Sequence, residues 1–125
     1  MAEEKQETII YFATCAGENP EKASMPFVMA LAALAMDIKA TIVLQGNGVY
    51  LAKDEYRKNM LPGGGFPTID KLMKDFIDLG GELLVCMPCI KERNIEESEL
   101  TKGSKITAAG RLNLAIIKAD AVLTY

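Results

Sequence analysis

The chain contains no histidine. The commonest general base and the commonest metal ligand are therefore both missing. Any chemistry performed here runs without an imidazole of its own. Cysteine is scarce too, with three in 125 residues. A small odd number of thiols does not make a disulfide framework. A CxxC pair among so few points to redox, sulfur or metal chemistry instead. Without histidine, the three thiols fall short of the usual four-ligand structural zinc pattern, so no metal is expected. No apolar run approaches the ~18 residues of a membrane span. The opening MAEEKQETII is acidic and has no apolar stretch ahead of a cleavage site, so it does not read as a secretory signal and a cytoplasmic protein is expected. Basic clusters are also lacking. The largest, KDEYRK at residues 53–58, carries acids of its own, and 14 basic against 17 acidic residues leave a net charge of -3. That balance gives nucleic acid no electrostatic footprint.

What is present reads as one globular domain over residues 1–125. Half of the residues are hydrophobic and 25% are charged, an ordinary globular balance. ETIIYFAT, ATIVLQ and ELLVC are apolar runs without polar alternation, the pattern of strands buried on both faces. A short SKIT and a closing DAVLTY supply two more. Asn19 and Pro20 are an N-cap and first-turn pair for a long helix with a stripe of Phe27, Ala30, Leu31, Leu34 and Ile38. Pro26 kinks or restarts that helix. TIDKLMKDFIDLGG is the clearest amphipathic helix, with Ile69, Leu72, Met73, Phe76 and Ile77 inward and Gly80 as its stop. AAGRLNLAIIKA places Leu112, Ala115, Ile116 and Ala119 on one side. VYLAKDEYRKN is ambiguous, and ERNIEESELTKG reads as a short helix plus loop. Strands alternating with helices imply an α/β fold, a three-layer α/β/α sandwich on a mainly parallel sheet of about five strands.

Two glycine segments invite functional readings. GNGVYL has half of a dinucleotide fingerprint but lacks the third glycine and follows the wrong strand, so it is read as a turn. PGGGF is a flexible connection before it is a lid.

The thiols carry the chemistry. In GGELLVCMPCIKERNI, Cys86 ends an apolar strand, and reactive groups in open parallel sheets collect at carboxyl strand ends. Cys89 lies three residues on, on the same side if the turn is helical. Cys15 follows the first strand and reaches the same rim if strands one and three are near each other. Helix amides and the cations Lys91 and Arg93 are expected to favour thiolate at Cys86. Free cysteine is also among the most buried residue types, and on residues alone the reactive and packing readings stand level.

YFATCAGENPEKASMPFVMALAALA, ATIVLQGNGVYLAK, GGELLVCMPCIKERNIEE and the closing LTKGSKITAAGRLNLAIIKADAVLTY together resemble the DsrE/DsrF-like family, sulfur-relay proteins that include TusD. The resemblance covers most of the chain and rests on the ordered set, with a cysteine at the end of the third strand. It implies that Cys86 holds a persulfide and passes its outer sulfur to an acceptor thiol. TusA-like or rhodanese-like donor and acceptor proteins are implied, no cofactor is, and closed homotrimers or hexamers are the family's assemblies. Cys89 departs from the one-cysteine pattern. It either resolves the persulfide, releasing sulfide, or is packing. Cys15 ranks below it, as a second thiol or a loop residue. Two other readings stay open: a thiol–disulfide oxidoreductase using Cys86 and Cys89, and a non-catalytic small-ligand module. Met25, Met29 and Met36 lie off the helix stripe, the pattern of a subunit contact.

Overall fold

Six residues with no polar break, Thr8–Ala13, form β1. Ile10 and Phe12 join a cluster on one side of the sheet, and Tyr11 and Ala13 a larger cluster on the other. Burial on both faces is why this stretch shows no alternation. The computed structural model describes residues 5–125, so part of the N-terminal stretch read as non-secretory lies outside it.

Helix α1, Pro20–Ala35, starts where the Asn19 side chain accepts the Lys22 N–H at 3.1 Å. Pro26 does not restart it, and the helix runs through. The proline sits early in the helix and forfeits one backbone bond, to exposed Lys22. Its buried line is Ala23, Phe27, Ala30 and Ala33, while Leu31, Leu34 and Ile38 sit at the margin. Alanines let the helix lie close to the strands beneath. β2, Lys39–Leu44, follows. The ambiguous segment after it is a 3-10 turn, Gly46–Ala52, and a short α2, Asp54–Lys58.

Helix α3, Ile69–Asp78, buries Ile69, Leu72, Met73 and Phe76. The Phe76 ring meets Phe27 of α1 edge-on, with centroids 5.9 Å apart. Its C-terminus is a Schellman motif: Gly80 N–H bonds to Ile77 O at 3.0 Å and Gly81 N–H to Phe76 O at 2.9 Å. Gly80 takes φ +89, the left-handed conformation a stop requires. The chain then enters β3, Glu82–Cys86, and passes without a turn into α4, Met87–Glu92. A 3-10 turn at Glu97–Glu99 leads to β4, Ser104–Thr107, then α5, Ala109–Lys118, and β5, Ala121–Thr124.

The sheet order is β4-β3-β2-β1-β5, and every pairing is parallel. β1 to β4 step in one direction, with α1 and α3 packed together on one face. The last connection reverses direction, which places α5 on the opposite face when crossovers keep one hand. There Leu112 closes a small cluster with Ile10, Phe12 and Val43. Ala115, Ile116 and Ala119 pack at its edge, as the helical spacing predicts. No described helix is long and apolar enough to cross a membrane. Because all strands run the same way, the loops after β1, β2 and β3 share one rim.

Candidate functional site

Cys86 is the last residue of β3 and the residue before α4. Cys89 is the third residue of that helix. One turn brings it back over Cys86, and the two Sγ atoms lie 2.8 Å apart. All three cysteines are free and half-buried. Cys15 is on the loop after β1, and β2 separates that strand from β3. Two strand spacings, about 10 Å, keep its strand end from that of Cys86. The structure thus brings two of the candidate thiols into contact and leaves Cys15 at the same rim but apart.

The loop after β2 completes the thiol site. Gly46 directs its N–H to Cys89 Sγ at 3.3 Å. It does so in the left-handed conformation, φ +54. Gly48 then passes so near the end of β1 that a Cβ there would stand 2.0 Å from the Ala13 carbonyl oxygen. GNG is therefore a turn, as read, and one held closely against its neighbours. Its glycines let the chain turn sharply and touch both neighbouring strand ends.

A polar chain ties the three loops together. Arg93 donates to the Cys89 carbonyl at 3.1 Å and, through Nε and Nη2, to Asn47 Oδ1 at 3.3 and 3.1 Å. Asn47 Nδ2 donates to Glu18 Oε2 at 3.1 Å, and Glu18 Oε1 accepts the Ala16 N–H. Burial pushes the Glu18 carboxyl up, but the Asn47 amide, backbone N–H groups and Arg93 outweigh it and hold it below the usual range. The Arg93 guanidinium also lies 6.0 Å from the centre of the Tyr50 ring, which stacks on Tyr56 at 5.3 Å. The Tyr56 hydroxyl accepts the Gly17 N–H at 2.8 Å.

The ionisation of Cys86 differs from expectation. Its thiol is raised above the ordinary value, first by burial and then by the hydrogen bond and charge of the Cys89 sulfur. The Cys89 N–H and Arg93 oppose this without overcoming it. Lys91 is exposed and is not among the causes. The helix behind the thiols has only six residues, and Cys86 makes no side-chain capping bond to it. Burial therefore decides, and Cys86 rests as a thiol.

PGGGF does not lie on the thiols. A Cβ at Gly63 would meet the Glu21 N–H and Pro20, so the loop packs on the start of α1. Among the described residues, no group of three or more histidine, cysteine, aspartate or glutamate side chains is placed to hold a metal. Sequence reading missed Glu18, Gly46 and Asn47. No spacing marks them, because the parallel topology alone brings them to Arg93 and Cys89.

A family model described as the DsrE/DsrF-like family matches residues 8–125. The chain is 34% identical over 105 residues to the uncharacterized protein MJ0989 of Methanocaldococcus jannaschii, covering 84% of this chain and 88% of that protein. It is 37% identical over 92 residues to a second protein of that organism, the uncharacterized MJ0760, covering 73% of this chain and 33% of that one. Among solved structures, the YchN protein of E. coli matches with a TM-score of 0.80 at 20% identity, covering 96% of this chain and 100% of that one. MTH1491 of Methanobacterium thermoautotrophicum, a protein of unknown function, matches with a TM-score of 0.65 at 10% identity, covering 95% and 99%. At these identities the structural likeness establishes the fold.

Proposed function

The chain belongs to the DsrE/DsrF-like family, a family of the sulfur-relay type, and from that premise we propose that it carries sulfane sulfur as a persulfide on Cys86 and passes it to an acceptor thiol. The observation that supports this most is the position of Cys86, a half-buried thiol at the carboxyl end of an interior strand with a second thiol one turn away. Persulfide transfer needs little more. The Cys86 thiolate attacks the sulfane sulfur of a donor, the donor's S–S bond breaks, and the sulfur stays on Cys86. An acceptor thiolate later takes the outer sulfur. No step asks a general base to activate water, so a chain without histidine is suited to it. Burial that keeps the unloaded Cys86 protonated also keeps it quiet towards small oxidants until a donor docks.

Donor and acceptor proteins of the TusA-like or rhodanese-like kind are the partners this reading calls for, and the cytoplasm is its place. Assembly into a homotrimer or homohexamer is part of it. Leu114 and Ile117 on α5 are 63% and 79% exposed, and Met29 and Met36 on α1 are 46% and 69% exposed. Apolar side chains so exposed favour a covering subunit. Incubation with a polysulfide or thiosulfate donor, followed by intact mass and peptide mapping of the protein and its Cys89→Ser variant, tests the reading. Whole sulfur atoms gained at Cys86 support it, and no gain in either protein defeats it. The 2.8 Å approach of the two sulfurs favours one alternative, a thiol–disulfide oxidoreductase. Loss of two hydrogens from the wild type, with no sulfur ever held by the variant, decides for that alternative.

A further inference from the structure

We infer that Cys89 is a resolving thiol, which attacks the loaded Cys86 and releases the carried sulfur as hydrosulfide. The inference rests on the persulfide reading of Cys86 and specifies what becomes of the sulfur when no acceptor takes it. Three contacts carry it. Cys89 Sγ stands 2.8 Å from Cys86 Sγ, the atom that becomes the inner sulfur of a persulfide. The Gly46 N–H approaches Cys89 Sγ at 3.3 Å from the side of β2. Arg93, itself held by Asn47, fixes the Cys89 carbonyl at 3.1 Å. A cysteine serving only as packing needs none of this. Here the residue is pinned at its backbone and at its sulfur, with the sulfur aimed at one atom. Closing from this contact to a bonded S–S distance of about 2.05 Å requires a rotamer adjustment and no movement of an element.

The step balances without an outside oxidant. The Cys89 thiol gives its proton to the terminal sulfur of the Cys86 persulfide anion. Its sulfur attacks the inner sulfur, the bond between inner and terminal sulfur breaks, and the electron pair leaves with the terminal sulfur as HS⁻. A Cys86–Cys89 disulfide remains. The carried sulfur is reduced by two electrons and the two cysteines are oxidised by the same number. The Gly46 N–H meets the electron density on the attacking sulfur. Restoring the dithiol requires a reductant of the dithiol class. The same site therefore has two exits: transfer of sulfane sulfur to an acceptor thiol, and reductive release of sulfide when none is present. A consumer of the second product must be an enzyme that takes inorganic sulfide.

The test is anaerobic loading with polysulfide, rapid desalting, and then parallel measurement of protein mass and free sulfide over time. The wild type, Cys89→Ser, Cys89→Ala and Cys86→Ser are compared. Both Cys89 variants are expected to hold one sulfur on Cys86 with a lifetime at least about tenfold longer than the wild type, because the internal attack is gone. The wild type is expected to end two hydrogens lighter, with one sulfide released per Cys86–Cys89 disulfide. Cys86→Ser should form neither persulfide nor sulfide. Asn47→Ala, which frees Arg93 from its acceptor, should slow sulfide release from the loaded protein. Equal persulfide lifetimes in the wild type and both Cys89 variants would overturn the inference and leave the carrier reading standing. So would a wild type whose extra sulfur maps to Cys89. Failure of every variant to load defeats the carrier reading itself, and this one with it.

Discussion

Gly81→Ala tests whether the entry to the strand that carries Cys86 is set by close packing. A Cβ on Gly81 would lie 2.3, 2.4 and 2.6 Å from three atoms of the Phe76 ring. Such contacts do not occur between real atoms, so either the ring or the start of β3 must move. The ring has little freedom. Phe76 is fully buried, and its position is shared with Phe27 across the α1–α3 contact. Moving the strand costs the Gly81 N–H bond to Phe76 O, which closes the helix. Overpacking of this kind costs about 1–3 kcal/mol. Taking 2 kcal/mol and a small-protein urea slope of about 1–3 kcal/mol/M, the midpoint should fall by roughly 1 M. The assay is urea titration at fixed protein concentration, followed by far-ultraviolet circular dichroism. Phe76→Leu removes the ring atoms in question. In that background Gly81→Ala should cost about 1 kcal/mol less than alone, a coupling expected of groups in contact. A Gly81→Ala midpoint within error of the wild type would refute the packing argument. Equal costs in the two backgrounds would show that backbone conformation, and not the ring, is what Gly81 serves.

Three further outcomes are expected. Cys89→Ala should lower the pH at which Cys86 becomes reactive to iodoacetamide and Arg93→Met should raise it, because the Cys89 sulfur pushes that thiol up and Arg93 pulls it down; an unchanged pH–rate profile in both variants counts against the assignment. The proton on Cys86 is held more tightly folded than unfolded, so its contribution to stability is complete below the unfolded thiol value of about 8.5 and is lost as pH rises through the higher folded value. Denaturant midpoints of the wild type should accordingly fall more steeply than those of Cys86→Ser above about pH 8.5, and parallel slopes would contradict this. Ile117→Lys together with Leu114→Glu should reduce the mass seen by light scattering to that of one chain while leaving circular dichroism unchanged; an intact oligomer would move the contact away from α5.

Much of the architecture was legible because burial writes itself into the sequence. β1 and β2 are covered on both faces, and their apolar runs admit one reading. α3 carries a full apolar stripe and a glycine pair whose roles, left-handed stop and close approach, follow from the residue type. The margins were less legible. α4 begins at Met87, directly after the strand, with Pro88 in its first turn and no turn residue to announce it. The buried line of α1 shares Phe27 and Ala30 with the stripe read from the sequence, but its Ala23 and Ala33 were passed over for the larger Leu31, Leu34 and Ile38. At the site, the CxxC spacing identified the two thiols that touch. The thiolate expected at Cys86 meets an opposing burial: charges are visible in a sequence and burial is not. Lys91 and Arg93 stand out as letters, yet Lys91 does not act on Cys86 and the enclosure of that thiol outweighs Arg93. Glu18, Asn47 and Arg93 lie 29 and 46 residues apart, and only strand order makes them neighbours.

That strand order also bears on the ligand-binding alternative. In an open parallel sheet, a ligand crevice forms where the order reverses, because the flanking connections leave to opposite faces there. The reversal here lies at β1, between β2 and β5. Thr14, just past β1, donates its N–H and its hydroxyl to the Tyr125 carbonyl, and Tyr125 N–H returns to Phe12 O at 2.9 Å. The Tyr125 side chain packs against the α1-side cluster. The position that would receive a small molecule is thus bridged by the chain's own backbone. The two facing thiols lie two strands away, at the end of β3, on a rim formed by loops. A sulfur atom needs no crevice; it needs a thiol that another thiol can reach. Filling the switch point while leaving the β2–β3 rim to a glycine loop and a cysteine pair suits the proposed sulfur-carrier role better than the small-ligand alternative.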